Sequence, residues 1–239
     1  MPLTQKAPRE CGCAGRGRRD VRVSVSVSDS SFLSAVQARA ARICVGASAI
    51  RGQGSGVAPP ARQFLERLSL NPFCTARGAR FQSQLDEATE RLRVALPDKS
   101  RHWGLAWKLM NIFLRDALYS TYLAGAFPIS NAEAYLELPL DKITSGNLWR
   151  IAGRGELPCW RGVKHLIPKD SAAYQSFAAK YVASLKPAIA RVHLDTYWWG
   201  VRDGTGNAPD GLQTLTPAHD DCRGKIVRSP LEVWKRSGR

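Results

Sequence analysis

The sequence predicts a mostly α-helical fold, a compact multi-helix domain behind an irregular leader. Three observations lead there. Trp103–Tyr119 contains no proline and repeats apolar residues at helical spacing, namely Leu105, Leu109, Ile112, Phe113 and Ala117. Comparable periodicity recurs across 61–70, 81–95, 168–185 and 189–199. The alternating run Val21–Ser28 would form one strand with nothing obvious to pair with.

Taken in order, residues 1–60 read as a disordered leader. Cys11–Arg19 is rich in glycine and arginine, Ser31–Ile50 suggests a short Ala-rich helix, and Arg51–Pro60 has the composition of a linker. The leader is open to two readings, an organelle transit peptide or an over-long gene start. The helical domain is expected over 61–200. Leu85, Ala88, Leu92 and Ala95 mark one helix face, and Leu96–Arg101 is a turn. The central helix then runs to about Ala124, stopped by Gly125 and Pro128. Ser130-Asn-Ala-Glu133 has the pattern of a capping box, predicting a short helix to Glu137. Gly153–Gly162 is a loop carrying Trp160. Pro168 opens a helix with Tyr174, Phe177, Ala178, Tyr181, Val182 and Leu185 on its apolar side. Ile189–Trp199 is the last clear helix, and 201–239 reads as an irregular basic tail.

Composition narrows the function classes. The chain has 239 residues and a formal net charge of +15, which points towards an anionic partner. The charge is uneven: residues 1–80 carry 13 basic and 4 acidic side chains, against 22 and 16 in residues 81–239. The globular part is therefore only mildly basic. Cysteines at 11, 13, 44, 74, 159 and 222 fit neither a zinc ribbon nor an iron–sulfur spacing, so free thiols and no bound metal or cofactor are expected. No apolar run reaches membrane-spanning length, because Lys108, Arg115 and Asp116 interrupt the nearest one.

Two side chains concentrate the chemistry. Lys108 heads a polar stripe, Lys108, Asn111, Arg115, Tyr119 and Tyr122, on the central helix. The positions three and four residues away from it are Gly104, Leu105, Asn111 and Ile112, so no intrahelical ion pair is available. It either faces water or finds a partner elsewhere in the chain. Asp141 is the candidate partner. It follows Leu138-Pro-Leu at a helix start, with Ile143, Leu148 and Ile151 on the buried face. An aspartate there caps free amides and meets the positive end of the helix dipole, which by itself is an ordinary structural role.

Gly104-Leu-Ala-Trp-Lys108-Leu-Met-Asn-Ile-Phe-Leu resembles the helix that follows the hairpin in the helix-hairpin-helix DNA glycosylase superfamily. Leu138-Pro-Leu-Asp141-Lys-Ile-Thr-Ser-Gly-Asn-Leu-Trp-Arg150 resembles that superfamily's Val-Asp-Thr-His-Val-x-Arg segment. The wide gap between the two is nearest to the archaeal-type 8-oxoguanine glycosylase pattern, and the resemblance covers about Arg101–Trp199. It departs at the hairpin, where one glycine remains and the proline is absent, and it lacks the iron–sulfur cysteines of some members.

The resemblance implies base-excision repair of double-stranded DNA by a monomer, in the cytoplasm at the nucleoid, with organelle targeting by the leader left open. A damaged nucleotide would be flipped out of the duplex. Neutral Lys108 would attack the sugar C1′ and form a Schiff base, with abasic-site lyase activity as the bifunctional case, while Asp141 stabilises the developing charge or takes the lysine proton. Trp103 and Trp107 would desolvate the lysine. Trp160, Tyr197, Trp198 or Trp199 would stack on the base. Asn111 and Arg115 would contact substrate, with Arg115, Lys142, Arg150 and Lys164 reaching phosphates. Against this stand two other readings. One is a non-catalytic helical module binding nucleic acid or a protein partner. The other is a metal-dependent hydrolase built on His193, Asp195, His219, Asp220, Asp221 and Cys222.

Overall fold

Residues 30–202 and residue 212 are described by a computed structural model of the chain. Nine α-helices and three short 3-10 turns, with no strand, make up these described residues. The expected strand at Val21–Ser28 and the tail beyond Arg202, Leu212 apart, lie outside them.

The helical body starts earlier than the periodicity indicates. Helix α1 (Ser30–Cys44) buries Gln37, Ala40, Ala41 and Cys44. Gln37 Nε2 donates to the carbonyls of Leu65 (2.9 Å) and Leu68 (2.8 Å). Small alanines and a glutamine make a weak apolar signal, yet here they are core. The expected linker is an ordered turn with positive φ at Gly52, Gly54 and Gly56. Helix α2 (Ala58–Glu66) begins on prolines that donate no amide, and α3 (Asn71–Thr75) and α4 (Ala79–Ala95) follow.

A connection containing the 3-10 turn Asp98–Ser100 leads into α5 (Trp103–Tyr119). Ser100 Oγ donates to the Gln53 carbonyl at 2.5 Å and ties this connection to the glycine turn. The central helix ends at Tyr119 rather than near Ala124. Ser120 has extended backbone and accepts from Leu123 N at 3.3 Å, capping a separate helix α6 (Thr121–Ala126). Residues Ile129–Tyr135 form a 3-10 turn where an α-helix was expected. The closing helices are α7 (Lys142–Ala152), α8 (Pro168–Ser184) and α9 (His193–Arg202).

Two apolar clusters organise these elements. The first unites α1 to α6 through residues such as Leu65, Phe73, Phe81, Leu85, Leu109 and Phe113. The second gathers Leu138, Leu140, Leu148, Tyr174, Ala178, Leu194 and Trp198. Helix α5 serves both, since Leu105, Ala106, Leu109 and Met110 enter the first and Trp107 the second. Within the second, Gln175 both donates to and accepts from the Leu138 backbone at 2.9 Å, acting as a one-residue strand partner. Arg191 ties the two clusters, donating to the carbonyls of Leu136 and Tyr135 on one side and to that of Gln175 at 3.5 Å on the other. Cys44 and Cys74 are buried free thiols, whereas Cys159 is disulfide-bonded, which corrects the expectation of free thiols there.

Gly104 shows how the start of α5 is held. A Cβ at this position would sit 2.2 Å from the Val163 carbonyl oxygen and 2.7 Å from Leu166 Cβ. The glycine thus serves close packing by the 163–166 turn.

Candidate active site

Where the two clusters meet, α5 forms one wall of a cleft of about 480 Å³, within the usual range for ligand sites. Lys108, Ile112, Arg115 and Tyr119 project from successive turns of α5 into it. The end of α1 contributes Ile43 and Cys44, the extended segment before α7 contributes Pro139 and Asp141, and α9 contributes Asp195, Thr196 and Trp199.

Lys108 and Asp141 meet in this cleft although 33 residues separate them in sequence. Lys108 is 6% exposed and Asp141 9%. The Lys108 Nζ lies 3.6 Å from Asp141 Oδ2, an ion-pair distance just beyond a direct hydrogen bond. Of the two alternatives, water or a partner elsewhere in the chain, the lysine is buried and faces an acid.

Local structure aims that acid. Pro139 breaks the preceding segment, and Asp141 is the N-cap of α7 in a full capping box. Its Oδ1 accepts from Ile143 N (2.8 Å) and Thr144 N (3.1 Å), while Thr144 Oγ1 accepts from Asp141 N at 2.9 Å. Ser145 Oγ donates to the Asp141 carbonyl. One carboxylate oxygen is committed to the cap, and the other is left pointing at the lysine.

A second charged group lies one to two turns along α5. Arg115 Nη2 and Nε donate to Asp116 Oδ1 at 2.7 and 3.0 Å, and Nη1 pairs with Asp195. Asp195 is 4% exposed. Burial raises the Asp116 carboxyl above its usual range despite Arg115. Among the described residues the cleft lining thus holds two cations, Lys108 and Arg115, against three acids, Asp116, Asp141 and Asp195. Cys44 donates to the Leu109 carbonyl at 3.2 Å, and burial, reinforced by Asp116, pushes its thiol well up. It is a packed thiol, not a nucleophile.

Among the other residues singled out in the sequence, Arg115 and Trp199 line the cleft and several do not. Asn111 is buried inside α5 and donates to the Trp107 carbonyl at 3.0 Å. Trp107 is buried too, and its indole donates to Glu137 Oε2 at 2.7 Å, with Trp103 stacked on it at 5.7 Å. Trp198 and Tyr197 pack with the second cluster. Trp160 stands edge-on to Tyr174 at 6.2 Å, away from Lys108 in a separate small recess. Arg150 turns back to Gly146 and Asn147, and Lys142 and Lys164 are exposed.

The metal set does not assemble among the described residues. His193 bonds Tyr119 and Glu133, Asp195 pairs with Arg115, and no group able to hold a metal occurs there. His219 to Cys222 lie outside the described residues. Sequence reasoning missed the joint role of Arg115, Asp116 and Asp195, and the Glu137 contact with Trp107. The one available signal was Asp195 in the first turn of α9, ahead of its aromatic run. No protein-family model, curated protein or solved structure matches this chain.

Proposed function

We propose that this protein is a DNA base-excision glycosylase, acting by lysine chemistry on the sugar of a flipped nucleotide. The observation that carries the reading is the convergence of Lys108 and Asp141 in an open cleft, with the acid oriented by its own helix cap. An amine that seeks only an ion pair is well served at a solvated surface, and burial beside an oriented carboxylate is costly without a use.

The chemistry follows from the pair. The lone pair of the Lys108 amine attacks C1′, and the glycosidic C–N bond breaks with its electrons leaving on the base. Asp141 Oδ2 stabilises the positive charge as the bond breaks and takes a proton from the new ammonium. Opening of the C1′–O4′ bond, its electrons going to O4′ together with the proton held by Asp141, then leaves a protonated C=N Schiff base on the lysine, from which elimination cleaves the strand. The substrate is double-stranded DNA, and the site of action is accordingly the nucleoid in the cytoplasm.

Borohydride trapping tests this. The full chain is incubated with duplexes carrying damaged bases or an abasic site, and borohydride reduces any C=N bond to a stable amine. A covalent adduct that Lys108→Ala abolishes is expected. Absence of adduct with every duplex, or an adduct surviving in Lys108→Ala, removes the lysine mechanism. The excess of acids in the cleft lining favours a second reading, a non-catalytic module whose partner is a protein. That reading predicts no adduct and no preference for lesions.

A further inference from the structure

The far end of the cleft carries an aromatic side chain that the proposed chemistry leaves unused. Tyr119 lies three turns beyond Lys108 on the same face of α5, about 16 Å along the axis. It is 45% exposed, yet polar neighbours fix it in place. Its phenol lies 2.7 Å from His193 Nδ1 and accepts from Thr196 Oγ1 at 3.1 Å. His193 Nε2 in turn lies 2.7 Å from Glu133 Oε1, and the His193 ring stacks on the tyrosine at 5.7 Å and 14°. With Nε2 facing the Glu133 carboxylate, Nδ1 is the ring nitrogen that meets the phenol. An exposed aromatic ring usually loses rotamer freedom when it binds; this one has lost it beforehand.

Two further facts limit what the ring can hold. Burial of the phenol raises its pKa, so it remains a neutral hydroxyl and is no nucleophile. Among the described residues the acids outnumber the cations along the cleft, and Glu133 adds another behind Tyr119, so a phosphate is disfavoured beside the ring. An uncharged planar group is favoured instead. We propose that Tyr119 is a fixed stacking platform for a nucleobase flanking the nucleotide held at Lys108. This rests on reading the cleft as a nucleotide site.

Fluorescence anisotropy on the full chain tests it, using a labelled duplex with a tetrahydrofuran abasic analogue. In parallel duplexes, the bases within two positions of that analogue are removed one at a time. Base–aromatic stacking is strong enough that Tyr119→Ala is expected to weaken binding about tenfold. Removing the stacked base costs the wild type a similar factor and costs Tyr119→Ala nothing more. Tyr119→Phe keeps the ring, so it binds within about threefold of wild type and still senses the base. Unchanged affinity in Tyr119→Ala, losses that multiply, or Tyr119→Phe behaving as Tyr119→Ala overturn the platform; should Tyr119→Ala fail to fold in thermal melts, Tyr119→Phe decides. No binding by the wild type overturns both the platform and the nucleotide reading. The expected losses without a borohydride adduct support the platform and remove only the lysine chemistry.

Discussion

Glu137 makes the stability of this fold depend on pH in a direction opposite to most paired carboxylates. It is 7% exposed, accepts the Trp107 indole proton, and has Arg191 Nη2 at 3.9 Å. Burial pushes its carboxyl from 4.5 up to about 7; Arg191 and the Trp107 bond oppose this, and Asp86 on α4 adds to it. The folded state therefore holds this proton more tightly than the unfolded chain. The associated stability is full below the unfolded value and is lost as pH rises through about 7. At about 1.4 kcal/mol per pH unit the whole gap is about 3 kcal/mol, of which about 2 kcal/mol falls between about pH 5.5 and about pH 8.5. For a chain of this size that is a melting shift of about 4–8 °C. Thermal or urea melts of wild type and Glu137→Gln across this window isolate the group, since glutamine can still accept from Trp107 but cannot titrate. The wild type is expected to lose about 2 kcal/mol more than the variant as pH rises. Parallel curves would refute the assignment.

Two other outcomes are expected. Gly104→Ala drives a methyl into the Val163 carbonyl and should cost about 1–3 kcal/mol in a urea melt, whereas the same change in an exposed helix stabilises by up to about 1 kcal/mol. Asp141→Ala removes the α7 cap and leaves Lys108 facing no acid, so it should destabilise by about 1–3 kcal/mol, whereas Asp141→Asn should retain most of the stability through its cap oxygen and still lose adduct formation. Equal stability losses in the two Asp141 variants would show that the cap is not what the carboxylate contributes.

What could be read from the sequence was what local chemistry dictates. The α5 helix announced itself through spacing, and Asp141 through a proline and a cap pattern, so both signals survive without tertiary information. The meeting of Lys108 with an acid was legible because no acid lay within one helical turn of it. Helix α1 was less legible because alanine is apolar enough to bury but too small to stand out. Trp160 was unreadable as a cleft residue or otherwise, since a loop carries no face. The Ser120 break was hidden because the same serine that ends α5 also suits a continuing helix, and only its bond to Leu123 N decides.

The sharing of α5 between two apolar clusters has a consequence for how the molecule opens. Amides of α4 and the Leu105 side of α5 report one cooperative unit, and those of α7 and α8 another, with Arg191 as the clasp between them. Hydrogen exchange should then reveal two protection levels, with the divide running beside Lys108. A ligand wedged at that divide would raise the lower level first, so exchange rates in α7 and α8 become a sensor of occupancy even before any reaction is known.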